Sequence, residues 1–329
     1  MSHALLIERI FSLDHPGDFD SAALDVFRHQ YFHNQVYRSF CDALNKSPEN
    51  VGAVSQIPFL PVSFFQQQRV VAFNDPEAHV FTSSGTTGST PSRHYVYDPG
   101  VYETSFVRGF RRFYGEPTDY CILALLPGYL ERSGSSLVYM ADHLIGLSQH
   151  PHSGFYLHDL ALLAEKLSWL HQKGQRTLLL GVTFALLDLA EKFPVSIPNA
   201  IIMETGGMKG RRRELVREEL HSILQNAFGV ESIHSEYGMT ELFSQAYSKG
   251  KGLFECPPWM KVLIRDTNDP LSLLPPGRSG GINIIDLANI HTCSFLATQD
   301  LGRIHPSGQF EVLGRFDHSD VRGCNLMVE

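Results

Sequence analysis

The sequence is poor in the features that define several large protein classes. Its five cysteines, at positions 41, 121, 256, 293 and 324, form no C-x-x-C pair, and their odd number argues against a disulfide framework. The 16 histidines form no H-E-x-x-H motif, so no zinc site is predicted. The 27 basic residues are outnumbered by 35 acidic ones, a formal charge of -8, which argues against nucleic acid or anionic lipid as the main partner.

Long apolar runs and a basic leader are also missing. The start, "MSHALLIERIF", has no cleavage-site pattern, and the most apolar later stretch, "TLLLGVTFALLDLA", is short and contains Asp188. We therefore expect a cytoplasmic protein without a membrane span. The 329 residues are 43% hydrophobic and 11% aromatic, which is ample for a sizeable buried core.

From about residue 155 the pattern alternates between helix and strand. "LHDLALLAEKLSWLHQKG" has helical spacing, "TLLLGV" indicates a buried strand, "TFALLDLAEKF" is helical, and "NAIIME" indicates another strand. "RRRELVREELHSILQNAFG" predicts an amphipathic helix that ends at a glycine, and "VESIHSEYG" a short strand that leads into a turn. The series predicts an α/β fold with parallel sheets flanked by helices, followed by a smaller β-rich subdomain of short, more antiparallel strands.

The stretch "FTSSGTTGSTPSRHY" concentrates hydroxyl side chains and glycines between two apolar segments. Such a turn offers several N–H and O–H donors to one acidic ligand, as a phosphate chain requires. It does not contain the Walker A pattern. A flexible polar hairpin is the alternative that the composition alone leaves open.

A second polar stretch, "HSEYGMTEL", places an aromatic ring, a glycine, a hydroxyl and a carboxylate within five residues at the end of a predicted strand. This combination suits base stacking, a phosphate contact and Mg²⁺ binding. Taken singly, a residue such as Tyr237 is more often a core aromatic, and one such as Glu241 is more often a carboxylate at a helix N-terminus. "TQDLGRI" and "GRFDHSDVRGC" follow, and each is weak alone.

Together, "TSSGTTGSTPS", "YGMTE", "QDLGR" and "GRFDHSDVRG" resemble, in order, the phosphate-loop, adenine and magnesium, ribose and hinge motifs of the adenylate-forming superfamily. The resemblance runs from about residue 80 onward and implies the N-terminal domain type of those enzymes, with ATP and Mg²⁺ as cofactors. It implies that the β- and γ-phosphates of ATP are cradled by Thr82, Ser83, Ser84, Gly85, Thr86, Thr87 and Gly88.

The remaining nucleotide contacts are implied in the same way. Tyr237 would stack on the adenine, Thr240 would contact the α-phosphate, and Glu241 would bind Mg²⁺. Asp300 would accept hydrogen bonds from the ribose, with Arg315 close by. The other residues implied in the nucleotide site are Gly206, Gly207, Gly238 and Met239.

Two departures from the superfamily pattern are informative. After the phosphate-loop proline, relatives usually have a lysine, whereas this sequence has Ser92 and Arg93, so Arg93 is the expected local cation if there is one. The sequence also leaves no room, before Glu329, for the C-terminal domain that carries a catalytic lysine. We therefore expect one acyl-adenylating domain over 1–329, with subdomains near 1–155, 156–250 and 251–313 and a hinge-like tail over 314–329.

The segment "LLPGYLERSGSSLVYMADHLI" and the ending "RGCNLMVE" are similar to the LuxE family of acyl-protein synthetases. That family activates a fatty acid as acyl-AMP and transfers it to a cysteine near its own C-terminus, from which a reductase takes it. The resemblance implies that Cys324 is this nucleophile, with Arg322 and His318 nearby. Burial as a small apolar filler is the alternative for Cys324, and the other four cysteines are interpreted as core.

The acid-binding site is less legible. "PFLPVSFF" and "SFVRGFRRFYG" are candidates for an apolar channel, although such stripes are often plain core. Ser133, Ser135 and Ser136 lack a G-x-S-x-G elbow and are interpreted as a wall of the substrate or nucleotide site. The expected partners are a carboxylic, fatty, acid and a reductase subunit or acyl carrier; an oligomer is left open.

Two other functions remain open from the sequence. One is a stand-alone acyl- or aryl-CoA ligase, like the phenylacetate ligases, that uses coenzyme A or a carrier protein as acceptor. The other is a non-catalytic nucleotide-binding scaffold subunit.

Overall fold

The computed structural model describes residues 3–13, 16–83, 90–127, 134–157, 159–206 and 215–316. The α-helices in these ranges are α1 (His3–Phe11), α2 (Pro16–His33), α3 (Gln35–Ala43), α4 (Phe64–Gln67), α5 (Pro99–Tyr114), α6 (Ser136–Ser148), α7 (Leu160–Gln172), α8 (Thr183–Lys192) and α9 (Arg217–Phe228). Short 3-10 turns lie at Val54–Gln56, Pro117–Asp119 and Leu287–Asn289.

The β-strands of the described ranges come in two groups along the chain. The first group is β1 (Leu60–Pro61), β2 (His79–Thr82), β3 (Arg93–Val96), β4 (Cys121–Leu125), β5 (Gly154–Phe155), β6 (Thr177–Val182), β7 (Ile201–Thr205) and β8 (His234–Tyr237). The second group is β9 (Ala246–Ser248), β10 (Phe254–Glu255), β11 (Met260–Arg265), β12 (Leu273–Leu274), β13 (Ser279–Asp286), β14 (Phe295–Ile304) and β15 (Phe310–Arg315).

The predicted parallel sheet is confirmed. Strands β5, β4, β6, β7 and β8 lie side by side in that order and pair in parallel. Every residue of β4 and β6 is buried, as expected for strands of a parallel sheet whose two faces are covered by helices. All these strands therefore present their carboxyl ends at one edge of the sheet.

The second group of strands continues the same sheet in antiparallel pairing. Strand β9 pairs with β8, and the order then runs β10, β15, β14, β13, β11 and β12, while β1 adds in parallel beside β14. Strands β2 and β3 form a separate antiparallel pair. This pair carries the beginning and the end of the hydroxyl-rich loop.

The C-terminal third differs from the expectation of short strands, because β13 has 8 residues and β14 has 10. The two glycines of "SGGINIIDL" lie inside β13. A Cβ on Gly280 would sit 2.2 Å from the Arg265 carbonyl oxygen, and one on Gly281 would sit 2.5 Å from the Arg265 guanidinium carbon. These glycines are therefore required for the close approach of β11 and its arginine.

Local sequence explains the ends of the principal helices. Asp98 caps α5 by accepting a 2.9 Å hydrogen bond from the Gly100 N–H, with Pro99 as the first residue of the helix. Helix α9 has Glu218 and Glu219 in its first turn and ends at Gly229, whose φ of 65° is left-handed. The predicted glycine stop of α9 is confirmed.

A continuous apolar core joins the helices to the sheet and extends from α1 to β15. Phe106 and Phe110 of α5 are buried in it, as are Phe65 and Leu60 from the "PFLPVSFF" stretch. These two stretches therefore contribute to the packed core in the described chain. In the ranges that the structure describes, none of the helices combines the length and the apolar character that a membrane crossing requires.

Candidate active site

The carboxyl ends of β6, β7 and β8 carry a buried polar network. The Thr183 hydroxyl, directly after β6, lies 3.0 Å from Oε2 of Glu204 and 2.9 Å from the carbonyl oxygen of Gly206. The Ser235 hydroxyl donates a 2.8 Å hydrogen bond to Oε1 of Glu204, and His221 lies 3.7 Å from the same oxygen. The predicted Gly206 thus follows a strand end that is held by hydrogen bonds across three parallel strands.

A second buried carboxyl lies at the end of β8. Glu236 accepts a hydrogen bond from the Thr205 hydroxyl and is 9% exposed. Burial raises the pKa of Glu236 to about 7, although the Thr205 hydrogen bond opposes the rise. A Cβ on Gly238 would lie 2.4 Å from Oε1 of Glu236, so the glycine of "YGMTE" is required by this carboxyl group.

The structure brings together Tyr237, Asp300 and Arg315, which lie far apart in the sequence. The Tyr237 hydroxyl donates a 2.7 Å hydrogen bond to Oδ2 of Asp300, and Nε of Arg315 lies 3.3 Å from Oδ1. Burial and the Asp300 carboxylate raise the pKa of Tyr237 well above its usual value, so its hydroxyl remains a donor. Asp300 is 8% exposed, whereas the Arg315 side chain is largely in solvent.

The strands that carry these residues position them through their register. Asp300 of β14 is paired with Arg315 of β15, next to an irregularity between Leu301 and Gly302. A Cβ on Gly302 would lie 2.6 Å from the Glu311 carbonyl oxygen, so the glycine of "QDLGR" allows β15 to approach. The conspicuous glycine of this motif therefore has a packing role beside the acidic residue.

The described part of the hydroxyl-rich loop, which is predicted to bind phosphate, is anchored on both sides. In the β2–β3 pair, Thr82 is opposite Arg93, which is exposed. The Ser92 N–H donates a 2.9 Å hydrogen bond to the Ser83 hydroxyl oxygen. The Thr82 N–H donates a 2.7 Å hydrogen bond to the carbonyl oxygen of Gly134, which places the end of the "LERSG" segment against the loop. Ser84 to Gly88 lie outside the described residues.

Thr240 and Glu241 lie in a turn after β8, so Glu241 is not at a helix N-terminus. Glu241 is 6% exposed; burial raises the pKa of its carboxyl group, and a hydrogen bond with Ser92 opposes the rise. Within the described ranges, no group of three or more His, Cys, Asp or Glu could hold a metal ion. One carboxylate suffices for Mg²⁺ that is also bound by phosphate oxygens, so the residues fit that mode of binding.

Asp286 anchors the chain that follows Glu241. Its Oδ2 accepts hydrogen bonds from the Phe243 N–H at 2.7 Å and the Ser244 N–H at 2.9 Å, and Oδ1 accepts one from the Ser244 hydroxyl at 2.5 Å. Asp286 is fully buried, and burial raises its pKa to about 6. The anchored turn is thereby tied to the end of β13.

Four of the five cysteines lie in the described ranges, and they are the four that the sequence analysis interprets as core residues. Cys41, Cys121 and Cys293 are buried and Cys256 is half-buried, and burial raises the pKa of each thiol. The core interpretation is therefore confirmed for Cys41, Cys121 and Cys293, whereas Cys256 lies at the edge of the core and is only half-buried. Predicted residues outside the described ranges are Ser133, Gly207, His318, Arg322 and Cys324.

The described serines of "ERSGSS" have structural roles. Ser135 is the N-cap of α6 and accepts a hydrogen bond of 3.3 Å from the Val138 N–H. Ser136 is buried as the first residue of that helix. Within the ranges that the structure describes, neither serine is hydrogen-bonded to a base in the manner of a hydrolase nucleophile.

Several site residues were missed by sequence reasoning. They are the buried polar residues that support the motifs, namely Thr183, Glu204, Thr205, Glu236, Asp286, His94, Asn289 and Thr292. Glu236 could have been found, because it lies inside the quoted "SEYGMTE". The others carry no sequence signal, since each acts through partners that are remote in the chain.

Comparison with known sequences finds proteins of the kind that the sequence motifs predict. The family model described as "Acyl-protein synthetase, LuxE" matches residues 14–95. A long-chain-fatty-acid–luciferin-component ligase of Vibrio harveyi is 25% identical over 328 residues, which cover 92% of this chain and 85% of that protein. A ligase of the same name from Photorhabdus luminescens is 44% identical over 66 residues, 20% of this chain and 56% of that one.

Comparison with solved structures identifies the fold. The 2-hydroxyisobutyryl-CoA ligase, in complex with 2-HIB-AMP and CoA, has a TM-score of 0.66 at 14% identity, over 91% of this chain and 70% of its own. ATP-bound MatB of Rhodopseudomonas palustris has a TM-score of 0.54 at 17% identity, over 74% of this chain. The matched region is 50% of the MatB chain.

The predicted resemblance to LuxE acyl-protein synthetases and the predicted adenylate-forming fold are thus confirmed. The resemblances indicate an enzyme of the acyl-protein synthetase type.

Proposed function

We propose that this protein activates a carboxylic acid with ATP and then transfers the acyl group to its own Cys324. The observation that carries the first step is the convergence of Tyr237, Asp300 and Arg315, with Glu241 close enough to interact electrostatically with Asp300 and Arg315. A ring, a ribose-binding carboxylate, a hydroxyl and a metal-binding carboxylate are the groups that ATP and Mg²⁺ need. The names of the sequence relatives favour a fatty acid as substrate.

In the first step, a carboxylate oxygen of the acid bonds to the α-phosphorus of ATP, and the bond from that phosphorus to the pyrophosphate oxygen breaks. This reaction requires positioning and charge neutralisation more than proton transfer. Tyr237 would hold the adenine, Asp300 the ribose hydroxyls and Thr240 the α-phosphate. Glu241 would hold Mg²⁺, which supplies charge neutralisation at the phosphates.

The second step forms a thioester. The Cys324 thiolate would attack the acyl carbonyl carbon of the mixed anhydride, and AMP would leave with the electrons of the cleaved C–O bond. The raised pKa values of Cys41, Cys121, Cys256 and Cys293 support this choice, because a thiol that remains protonated is a poor nucleophile. A reductase subunit or an acyl carrier would then accept the acyl group.

Intact-protein mass spectrometry tests both steps. The protein is incubated with ATP, Mg²⁺ and carboxylic acids from short to tetradecanoic, beside Cys324→Ser and the matched control Cys256→Ser. We expect an ATP-dependent acyl adduct that neutral hydroxylamine removes and that Cys324→Ser alone abolishes. Pyrophosphate release without an adduct would assign the acceptor role to an external thiol such as coenzyme A. ATP binding without acid-dependent pyrophosphate exchange would favour a scaffold subunit.

A further inference from the structure

The backbone of the Thr240–Glu241 turn is held by two buried side chains from elsewhere in the chain. Nδ1 of His94 lies 2.7 Å from the carbonyl oxygen of Thr240. Nδ2 of Asn289 donates a 2.6 Å hydrogen bond to the carbonyl oxygen of Glu241. Two consecutive carbonyl groups are therefore held in place. His94 of β3 holds the first, and Asn289 of the 3-10 turn that follows β13 holds the second.

The two supporting side chains are bridged by one hydroxyl group. Oγ1 of Thr292 lies 3.1 Å from Nε2 of His94 and 2.9 Å from Oδ1 of Asn289. His94, Thr292 and Asn289 are each 0% exposed. These three side chains form a continuous chain of hydrogen bonds from the Thr240 carbonyl oxygen to the Glu241 carbonyl oxygen. We call this chain of hydrogen bonds the carbonyl clamp.

The hydrogen positions in the carbonyl clamp follow from its partners. A carbonyl oxygen only accepts, so Nδ1 of His94 must carry a hydrogen that it donates to Thr240. Burial lowers the pKa of His94 to about 4, so the ring is neutral near pH 7 and Nε2 has a lone pair. The single hydroxyl hydrogen of Thr292 then serves either Nε2 or Oδ1 of Asn289. The neutral tautomer of His94 with its hydrogen on Nδ1 is therefore the one that satisfies the Thr240 carbonyl oxygen.

The ring of His94 is also packed in one orientation. It stacks on Phe243 with a centroid separation of 4.8 Å and meets Phe65 edge-on at 5.7 Å. Phe243 is itself held by Asp286 through its N–H. The imidazole therefore has little freedom to leave the Thr240 carbonyl oxygen.

Strand β3 joins the carbonyl clamp to the phosphate loop. Ser92 directly precedes β3 and lies two residues before His94, and both residues are buried. Ser92 has a hydrogen bond with the Glu241 side chain, and its N–H donates to the hydroxyl oxygen of Ser83. The segment that leaves the phosphate loop thus contacts the Thr240–Glu241 turn through two buried side chains, Ser92 and His94.

We propose that His94 is a positioning residue for the nucleotide reaction. Through the carbonyl clamp it orients the Thr240–Glu241 turn, so that the Thr240 hydroxyl meets the α-phosphate and the Glu241 carboxylate meets Mg²⁺. The inference rests on the proposed function, to which it adds a residue that contacts neither ATP nor the acid.

Paired substitutions test the donor function of His94. An asparagine has its Nδ2 near the place of the imidazole Nδ1, so His94→Asn retains a donor to Thr240, whereas His94→Phe retains the ring and loses the donor. Thr292→Val removes the bridging hydroxyl at nearly constant shape. The matched control is His234→Gln, since His234 is a partly buried histidine whose Nδ1 lies 3.2 Å from the Tyr114 hydroxyl, away from the carbonyl clamp.

The readouts are the dissociation constant for Mg²⁺-ATP, and kcat and KM for acid-dependent exchange of pyrophosphate into ATP, with the melting temperature as a check of folding. For His94→Phe we expect kcat to fall about tenfold to a hundredfold, with a smaller change in KM for ATP, because a lost hydrogen bond in a buried network is worth ~1–3 kcal/mol. His94→Asn should recover most of this loss, Thr292→Val should lie between them, and His234→Gln should match the wild type.

A folded His94→Phe protein with wild-type kcat and nucleotide affinity would overturn the proposal. So would equal losses in His94→Phe and His94→Asn, because the donor would then be irrelevant. Failure of the proposed function is distinguishable, since the wild type itself would then show no exchange. In that case the dissociation constants of the variants for Mg²⁺-ATP would still test the positioning role of His94. Equal dissociation constants for the wild type and His94→Phe would contradict it.

Discussion

The hydroxyl group of Tyr237 donates a 2.7 Å hydrogen bond to the carboxylate of Asp300, which lies 63 residues further along the chain. The two residues come from motifs that were expected to bind different parts of one nucleotide. Their contact shows that the two motifs, which are remote in the sequence, are adjacent in the described structure. Asp300 has a second oxygen that faces Arg315, so the carboxylate is oriented from two directions.

The first prediction separates the ring of Tyr237 from its hydroxyl group. Tyr237→Ala should weaken Mg²⁺-ATP binding about tenfold to a hundredfold, because stacking of a base on an aromatic ring is worth ~1–3 kcal/mol. Tyr237→Phe retains the ring and should cost less than tenfold. Titration of each variant with ATP measures both effects, and equal losses in the two variants would show that stacking is not the main contribution.

The second prediction concerns ribose recognition by Asp300. Asp300→Ala should weaken ATP binding about tenfold and reduce the preference for ATP over 2′-deoxy-ATP, because a hydrogen bond to a charged group is worth ~1.5–3 kcal/mol. Competition between the two nucleotides measures the preference. Asp269→Ala, in an exposed turn, serves as the control. An unchanged preference in Asp300→Ala would remove Asp300 from the ribose site.

The third prediction assigns Mg²⁺ to Glu241. Glu241→Gln keeps the size of the side chain but removes its charge, so the Mg²⁺ concentration for half-maximal ATP binding should rise about tenfold. The pKa of Glu241 is raised by burial, so the wild-type requirement should also increase as the pH falls through that raised pKa. In Glu241→Gln this part of the pH dependence should vanish. The exposed Glu255→Gln should behave as the wild type.

The fourth prediction is a loss of stability between mildly acidic and neutral pH that originates from Glu236. Its pKa is raised by burial from 4.5 to about 7, so its contribution to stability is greatest below pH 4.5 and is lost as the pH rises through 7. Above pH 7.5 the loss should be on the order of 3 kcal/mol. Glu236→Gln should therefore have a flatter unfolding free energy between pH 5 and pH 8, as measured by urea denaturation. A slope equal to that of the wild type would contradict this assignment.

The fifth prediction is a loss of stability in mild acid that originates from a group of packed histidines. His291 is 3% exposed, its Nε2 lies 2.6 Å from Nε2 of His3, and burial lowers its pKa to about 3. The unfolded chain gains a proton near pH 6.5 that the folded chain does not, which should cost about 2 kcal/mol at pH 5.

His291→Gln should reduce the fall in melting temperature between pH 7 and pH 5. The exposed His33 provides the control, because His33→Gln should leave most of that fall in place. Equal profiles for His291→Gln and the wild type would mean that other groups cause the acid sensitivity.

Much of the fold was determined by the sequence itself. The apolar run Thr177–Val182, the helix Thr183–Lys192 and the strand ending before Gly206 were predicted with their observed order, because burial on both faces of a parallel sheet imposes continuous apolar strands. The motif around Tyr237 and the acidic residue of "QDLGR" were likewise legible, since these segments combine unusual residue types over a few positions.

The support of the site was decided only by the tertiary structure. His94 and Thr240 are separated by 146 residues and Asn289 and Glu241 by 48, and no local pattern specifies which carbonyl oxygen a remote donor will reach. The glycines of β13 are a second example, because their need for space comes from Arg265 on a neighbouring strand. Propensity and periodicity act over a few residues, whereas hydrogen bonds and close packing depend on which strands the fold places side by side.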